Sequence, residues 1–101
     1  MIYVFVLIDK PDHIELRVRL RPAHLEYLKP VEDKVAFAGP LTKDDGVSMI
    51  GTLWAIDFES RDAAHAFLAH EPFNQAGLFA STSVHAFVNR SAQKVGFPPA
   101  K

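Results

Sequence analysis

Six segments of the chain carry a clear secondary-structure pattern, and their order restricts the fold. Runs of β-branched and aromatic residues, bounded by turn-forming residues, predict four strands at residues 2–8, 35–40, 51–58 and 81–88. Apolar residues at helical spacing predict one helical region after the first strand and another after the third. The order strand, helix, strand, strand, helix, strand is that of a ferredoxin-like α+β domain (βαββαβ). Such a domain has a four-stranded antiparallel sheet with both helices on one face.

Proline and capping residues predict where the first helical region begins and breaks. Asp12 followed by Glu15 resembles a capping box, so the region is predicted to begin at His13. It should weaken just before Pro22, which suits the first turn of a new helix. Pro30 should end or kink that second segment, because a proline ring clashes with the carbonyl four residues earlier.

The second helix and the segments after it are predicted from similar signals. Ser60 suits the N-cap position, and the helix should continue to about His70 before Pro72. Residues 73–80 are predicted to be a connection. The C-terminal tail, residues 91–101, carries glycine and paired prolines that argue against regular structure.

The predicted strands are apolar on both faces, which two helices cannot cover. In the first strand, Ile2, Val4 and Val6 lie on one side, while Tyr3 and Phe5 lie on the other. The helices of a ferredoxin-like domain cover one face of the sheet, so the other would expose a large apolar surface. A second copy packed sheet to sheet is the simplest cover, and the sequence therefore predicts a homodimer.

Length and composition exclude several classes of protein. The 101 residues suit one domain, 1–101, with a core over 1–90 and the tail over 91–101. A formal charge of -1 gives no general attraction to nucleic acid or acidic membranes, and the absence of cysteine excludes disulfides and thiolate chemistry. No apolar run approaches the roughly 20 residues of a spanning helix. The N-terminus lacks the basic start of a signal peptide, so a cytoplasmic protein is expected.

Among five histidines, His24 is the best candidate for chemistry. The sequence has no HExxH motif and no compact group of ligand-type residues, so no metal site is expected. His24 lies near the edge of the inward stripe of its helix, either as a structural histidine or as a general base. Glu71, after the second helix, is its candidate partner or else a solvated acid in a turn. Arg21 is a surface charge or a ligand for an anionic group.

Five segments in a fixed order resemble the YciI-like family of the dimeric α+β barrel superfamily. They run in the family's order across about the first 90 residues and read IYVFVLIDK at 2–10, RPAHLEYL at 21–28, AGPL at 38–41, GTLWAIDFES at 51–60 and EPFNQAGLF at 71–79.

The resemblance implies a pocket between the helices and the sheet, with His24 in a histidine–carboxylate dyad. The family acid belongs to an Asp-Pro-Tyr motif, where this chain has Glu71, Pro72 and Phe73. Phe73, Trp54 and Arg21 are then candidate substrate contacts, although Trp54 also suits the core or the dimer interface. The implied function is acid–base proton transfer on an enolisable or ring-derived small molecule, without metal or organic cofactor. The alternative is a non-catalytic ligand-binding or accessory module on the same fold.

Overall fold

The computed structural model describes residues 1–91 and shows one antiparallel sheet with its helices on one side. The elements are β1 (Ile2–Asp9), α1 (Ile14–Leu28), a 3-10 helix (Lys29–Lys34), β2 (Val35–Thr42), β3 (Met49–Asp57), α2 (Arg61–Ala69), α3 (Pro72–Gln75) and β4 (Phe79–Phe87). The predicted tail over 91–101 lies outside the described residues, apart from Ser91.

The sheet has the strand order β2-β3-β1-β4, with every neighbouring pair antiparallel. The two central strands, β1 and β3, pair Phe5 with Trp54, and β4 places Val84 on the other side of Phe5. This strand order and the single helical layer confirm the predicted ferredoxin-like α+β fold.

The core lies between the helices and one face of the sheet. The alternate residues Tyr3, Phe5 and Leu7 of β1 point into it, and Phe5 and Leu7 are fully buried. Trp54 contacts Phe5 edge to face, with ring centroids 5.2 Å apart. Burying each such side chain contributes about 1.5–3 kcal/mol, so this aromatic layer holds the helices on the sheet.

The opposite face of the sheet carries no helix and is largely apolar along β1 and β2, whereas β4 contributes Ser81, Ser83 and His85 to it. The other alternate set of β1, with Val4 and Val6, lies there half-buried beside neighbours from β3 and β4. Phe37, on β2 opposite Ala55, leaves 56% of its surface exposed, and Phe87 leaves 39% exposed. We call this surface the open face of the sheet. Its apolar character agrees with the alternation in the sequence.

The first helical region differs from its prediction in two ways. No break occurs at Pro22, because α1 runs without interruption from Ile14 to Leu28 with this proline inside it. The predicted capping box is also wrong. Asp12 has a left-handed φ of 59°, and the N-cap residue is His13, whose side chain makes no capping hydrogen bond. Packing of the inner helix face has outweighed these local signals.

Three other predictions concern where segments begin or end. The expected end or kink at Pro30 is confirmed, since the α-helix stops at Leu28 and the chain continues as a 3-10 helix. The segment 73–80 is not a plain connection, because it contains most of α3 and the first residues of β4. The Ser60 cap of α2 is confirmed, with its hydroxyl accepting from the Ala63 N–H at 3.1 Å.

Candidate active site

His24 lies on the inner face of α1, where the helix meets the sheet. It is 8% exposed and follows Arg17 by seven residues, which places both side chains on one face of the helix. Its ring stacks on Phe73 with centroids 4.2 Å apart and planes 15° apart. The Trp54 ring lies nearly parallel to it, at 6.0 Å and 14°. Aromatic rings from two elements therefore fix the orientation of the imidazole.

Glu71 is fully buried and lies within hydrogen-bond distance of His24. Its Oε1 is 2.6 Å from His24 Nδ1, and its Oε2 accepts hydrogen bonds from the backbone N–H groups of Phe73 at 2.8 Å and Asn74 at 3.2 Å. The solvated-turn interpretation of Glu71 is therefore wrong. Glu71 follows α2 and is the N-cap residue of α3. The free backbone N–H groups at the start of a helix favour a negative charge at this position.

The contact with Glu71 determines which imidazole nitrogen is free. A carboxylate accepts hydrogen bonds, so Nδ1 is the donor to Oε1. In the neutral imidazole, Nε2 then carries a lone pair and no proton. No described residue hydrogen-bonds Nε2. The pair thus presents a nitrogen that can accept a proton, held in one tautomer by a buried acceptor.

Arg17 extends the polar cluster along α1, and the sequence reasoning missed it. Its guanidinium is 4% exposed and makes two bonds to Asp9, Nε to Oδ2 at 2.7 Å and Nη2 to Oδ1 at 2.9 Å. Nη2 also donates to the Thr52 hydroxyl at 2.7 Å, and the guanidinium carbon lies 4.8 Å from the centroid of the Phe73 ring. The spacing of Arg17 from His24 on one helix face was the available signal.

Trp54 carries a buried donor without an acceptor. The side chain is fully buried, and within residues 1–91 its Nε1 is the one buried side-chain nitrogen or oxygen that makes no hydrogen bond. Such a group is costly to leave unpaired in a folded protein.

The other predicted contact residues lie differently. Phe73 contacts both the His24 imidazole and the Arg17 guanidinium. Arg21 is exposed, and no residue in the range 1–91 forms an ion pair with it. Arg21 lies three positions before His24 on α1. The structure therefore brings His24, Glu71, Phe73 and Trp54 together and leaves Arg21 at the helix surface.

The surface carries two clefts formed by other residues. One, of about 440 Å³, is lined by Tyr27, Phe58, Phe67 and His70 among others, between α1 and α2. The other, of about 720 Å³, lies between the start of α1 and the β2–β3 hairpin. His24 and Glu71 line neither cleft.

Metal-binding clusters and membrane-spanning helices are both absent from residues 1–91. These residues contain no group of three or more histidine or acidic side chains placed to hold a metal ion. Within the same range, no helix has the length and apolar character to cross a membrane.

The fold and the buried pair define a small ferredoxin-like α+β protein with a histidine–carboxylate contact between helix and sheet. The YCII-related domain matches residues 1–88. The chain therefore belongs to the YCII-related family.

Curated and solved relatives agree with this assignment. Protein YciI of Escherichia coli and that of Shigella flexneri are each 35% identical over 94 residues, which cover 86% of this chain and 96% of the relative. The chain is also similar to the solved 5-chloro-2-hydroxyhydroquinone dehydrochlorinase of Burkholderia phenoliruptrix, in complex with 2,5-dihydroxybenzoquinone. The TM-score is 0.81 and the identity 33%, over 87% of this chain and 94% of that one. The solved relative is thus an enzyme of the same fold that binds a small oxygenated ring.

Proposed function

We propose that this protein is a small-molecule enzyme in which His24 transfers a proton on an enolisable or ring-derived substrate. The observation that carries the proposal is the 2.6 Å contact between His24 Nδ1 and Glu71 Oε1, made by a fully buried carboxylate. A carboxylate in this position fixes the tautomer of the imidazole and would pair with the imidazolium that proton transfer forms. The similarity to a dehydrochlorinase supports a small-molecule reaction on this fold.

The proposed step needs only proton transfer. His24 Nε2 removes a proton from a carbon or hydroxyl of the substrate, and the electron pair left behind is delocalised onto a substrate oxygen. Glu71 remains ionised while the imidazolium forms. The proton then returns to another atom of the same molecule, which gives an isomerisation, or it leaves with a departing group, which gives an elimination. Neither outcome calls for a metal or an organic cofactor.

Trp54, Phe73 and Arg21 are proposed to act on the substrate side. Phe73 and Trp54 flank the imidazole with aromatic surface, which suits a planar ring. Arg21 is three residues from His24 and exposed, so it would meet an anionic group at the entrance.

A second candidate function is a ligand-binding or accessory module without turnover. The observation that favours it is that His24 and Glu71 line neither of the two clefts. In that case the pair would be a structural link between α1 and α3.

We further propose that the protein works as a homodimer through the open face of the sheet. The apolar side chains there, including Phe37 at 56% exposure, are the surface that a second copy would cover.

A deuterium-exchange measurement tests the catalytic proposal without knowledge of the natural substrate. The probe is 2,5-dihydroxybenzoquinone, whose ring C–H groups exchange with solvent deuterium through proton transfer on carbon. His24→Asn keeps an N–H donor for Glu71 and removes the base. We expect the wild type to accelerate loss of the ring proton signal in deuterated water, and the variant to lower that acceleration by about 10²- to 10⁴-fold.

The matched control is His65→Asn, since His65 is exposed on α2 and makes no described hydrogen bond. Its exchange rate should equal that of the wild type. Equal acceleration by wild type and His24→Asn would contradict the catalytic proposal. Binding of the probe without accelerated exchange would instead support the binding module.

A further inference from the structure

The indole N–H of Trp54 is a donor that the folded chain leaves without an acceptor. Trp54 is fully buried in the central strand β3, and its Nε1 has no hydrogen-bond partner among residues 1–91. Nearby polar groups are paired, such as the Thr52 hydroxyl on the same face of β3. A donor left unpaired beside a paired network indicates an acceptor that comes from outside the chain.

The position of Trp54 connects this donor with the candidate site. Its ring lies 6.0 Å from the His24 ring, and the two planes are 14° apart. Because the two rings are close and nearly parallel, a planar molecule that meets the edge of the Trp54 ring also lies close to the edge of the His24 ring. The donor and the free Nε2 of His24 belong to a single region between α1 and the sheet.

The neighbouring strand leaves an approach to this region. On β2, Ala38 pairs with Trp54 and Pro40 pairs with Thr52, so both face the helical side of the sheet. Both are nevertheless exposed, because the helices do not cover this part of β2. Ala38, the strand partner of Trp54, is therefore open to solvent on the side of the sheet where the indole lies.

We propose that the Trp54 indole N–H donates a hydrogen bond to an oxygen of the substrate, which approaches over Ala38 and Pro40, and so selects oxygenated rings. This inference rests on the proposed function and names the group that recognises its substrate. When His24 takes a proton, negative charge moves to a conjugated oxygen of the substrate. A fixed N–H donor stabilises that charge without transferring its own proton.

The chain contains one tryptophan, so the proposal can be followed on a single atom. In nitrogen-15-labelled protein, the indole N–H gives one cross-peak. We expect 2,5-dihydroxybenzoquinone to move this peak to higher proton chemical shift and to slow its exchange with water. Histidine ring signals, recorded in the same titration, report whether the probe also reaches His24.

Variants separate the donor from the aromatic surface. Trp54→Phe removes the N–H and should weaken binding of the probe by roughly 3- to 10-fold, the value of one hydrogen bond. Tyr27→Phe is the matched control. It removes a hydroxyl that already donates to the Phe67 carbonyl at 2.9 Å, so probe affinity should not change. If Trp54→Phe does not fold, the wild-type titration decides the question.

The outcomes distinguish this inference from the function on which it rests. If the probe shifts the His24 signals but leaves indole exchange unchanged, the indole is not the donor and the proposed function stands. If the probe moves neither group, or does not bind, the proposed function fails and the inference fails with it. A change in both groups, together with the weaker binding of Trp54→Phe, supports the indole as the donor, and accelerated deuterium exchange of the same probe separates catalysis from binding alone.

Discussion

The two oxygens of the Glu71 carboxylate have separate partners. Oε1 contacts the His24 imidazole, and Oε2 accepts the backbone N–H groups that begin α3. The residue that orients the candidate base is therefore also a helix cap. Substitutions of Glu71 affect both the chemistry of His24 and the stability of α3, and a test must separate the two effects.

Glu71→Gln separates them because an amide has one acceptor and one donor. Its oxygen can keep the two backbone N–H groups of α3, which leaves the NH₂ group facing His24 Nδ1. The imidazole must then accept at Nδ1 and carry its proton on Nε2. We expect nitrogen-15 shifts of the His24 ring to show this change of tautomer, and proton exchange on the quinone probe to fall by at least about 10²-fold.

Glu71→Asp provides the matched comparison, since it keeps a carboxylate and restores the acid found in the family motif. The wild-type tautomer, with the proton on Nδ1, should persist in this variant. A Glu71→Gln protein that retains the Nδ1 proton would show that the carboxylate does not set the tautomer.

Tyr27 gives a prediction for alkaline pH. Burial and, second, the negative charge of Glu71 raise the pKa of its phenol above the ordinary value of 10.0. Because the phenol of Tyr27 has a higher pKa in the folded state than in the unfolded state, its contribution to stability is fully present below pH 10.0. This contribution is lost as the pH rises through the folded-state pKa. Urea unfolding should therefore show a steeper loss of stability for the wild type than for Tyr27→Phe as the pH rises above 10.0. If the stability of the two proteins falls equally with pH, the raised pKa of Tyr27 is contradicted.

At the residue scale, the sequence predicted which groups to examine better than what each one contacts. His24 and Glu71 are 47 positions apart, so only the fold brings them together. The inward stripe of α1 indicated His24. The position of Glu71 at the end of the second helix and the family resemblance both indicated Glu71. Arg17 was missed because a lone arginine on a helix is usually solvated, and its partners, Asp9 and Thr52, lie on other elements.

The elements themselves show where local signals lose to packing. Pro22 interrupts the backbone hydrogen-bond pattern of α1, and the sequence therefore predicted a break. The helix nevertheless continues, because Arg17, His24 and Leu28 all gain contacts on its inner face. Pro22 itself is exposed, so water can hydrogen-bond the carbonyl that its missing N–H leaves free. Strand order and the Ser60 cap had no such competing contact and were predicted correctly.

Pro22→Ala should therefore stabilise the fold. Alanine restores the missing N–H and removes the clash in the helix interior, where proline costs about 3 kcal/mol. The greater flexibility of the unfolded chain takes back part of this gain, so we expect the free energy of unfolding to rise by about 1–3 kcal/mol. Urea denaturation at neutral pH measures this change.

Pro72→Ala is the control for that measurement. Pro72 occupies the first turn of α3, where the fixed φ of proline suits the helix and the missing N–H costs nothing. Its replacement should leave stability unchanged or lower it slightly. An equal rise in the free energy of unfolding for both variants would show that the cost of a proline does not depend on its position in the helix, and would contradict the prediction for Pro22.

At the scale of the whole molecule, the two faces of the sheet have different surroundings. The helical layer buries the face that contains Phe5 and Trp54, whereas the open face keeps Val4, Val6 and the exposed Phe37 without a helix. The apolar residues on both sides of β1, together with a fold that places both helices on one face, were sufficient to predict this difference. It could not specify the contacts of a second copy, because those depend on a surface that a single chain does not contain.

The dimer proposal predicts that a charge at the centre of the open face separates the subunits. Val6 lies on the central strand β1 and faces Leu53 and Ser83 across the sheet, so Val6→Lys would place an ammonium group inside the proposed interface. Burying an unpaired charge is strongly unfavourable, whereas on a free surface the same lysine is tolerated. Light scattering should give twice the 11.2 kDa of one chain for the wild type and a single chain for the variant, with circular dichroism unchanged.

Val47→Lys adds the same charge at a site outside the open face. Val47 is 77% exposed in the β2–β3 hairpin, so this variant should keep the wild-type mass. If the wild type already has the mass of one chain, or if Val6→Lys remains a dimer, the open face is not the interface. Dissociation of Val6→Lys alone places the interface on that face, because the two variants carry the same charge and differ in where the lysine stands.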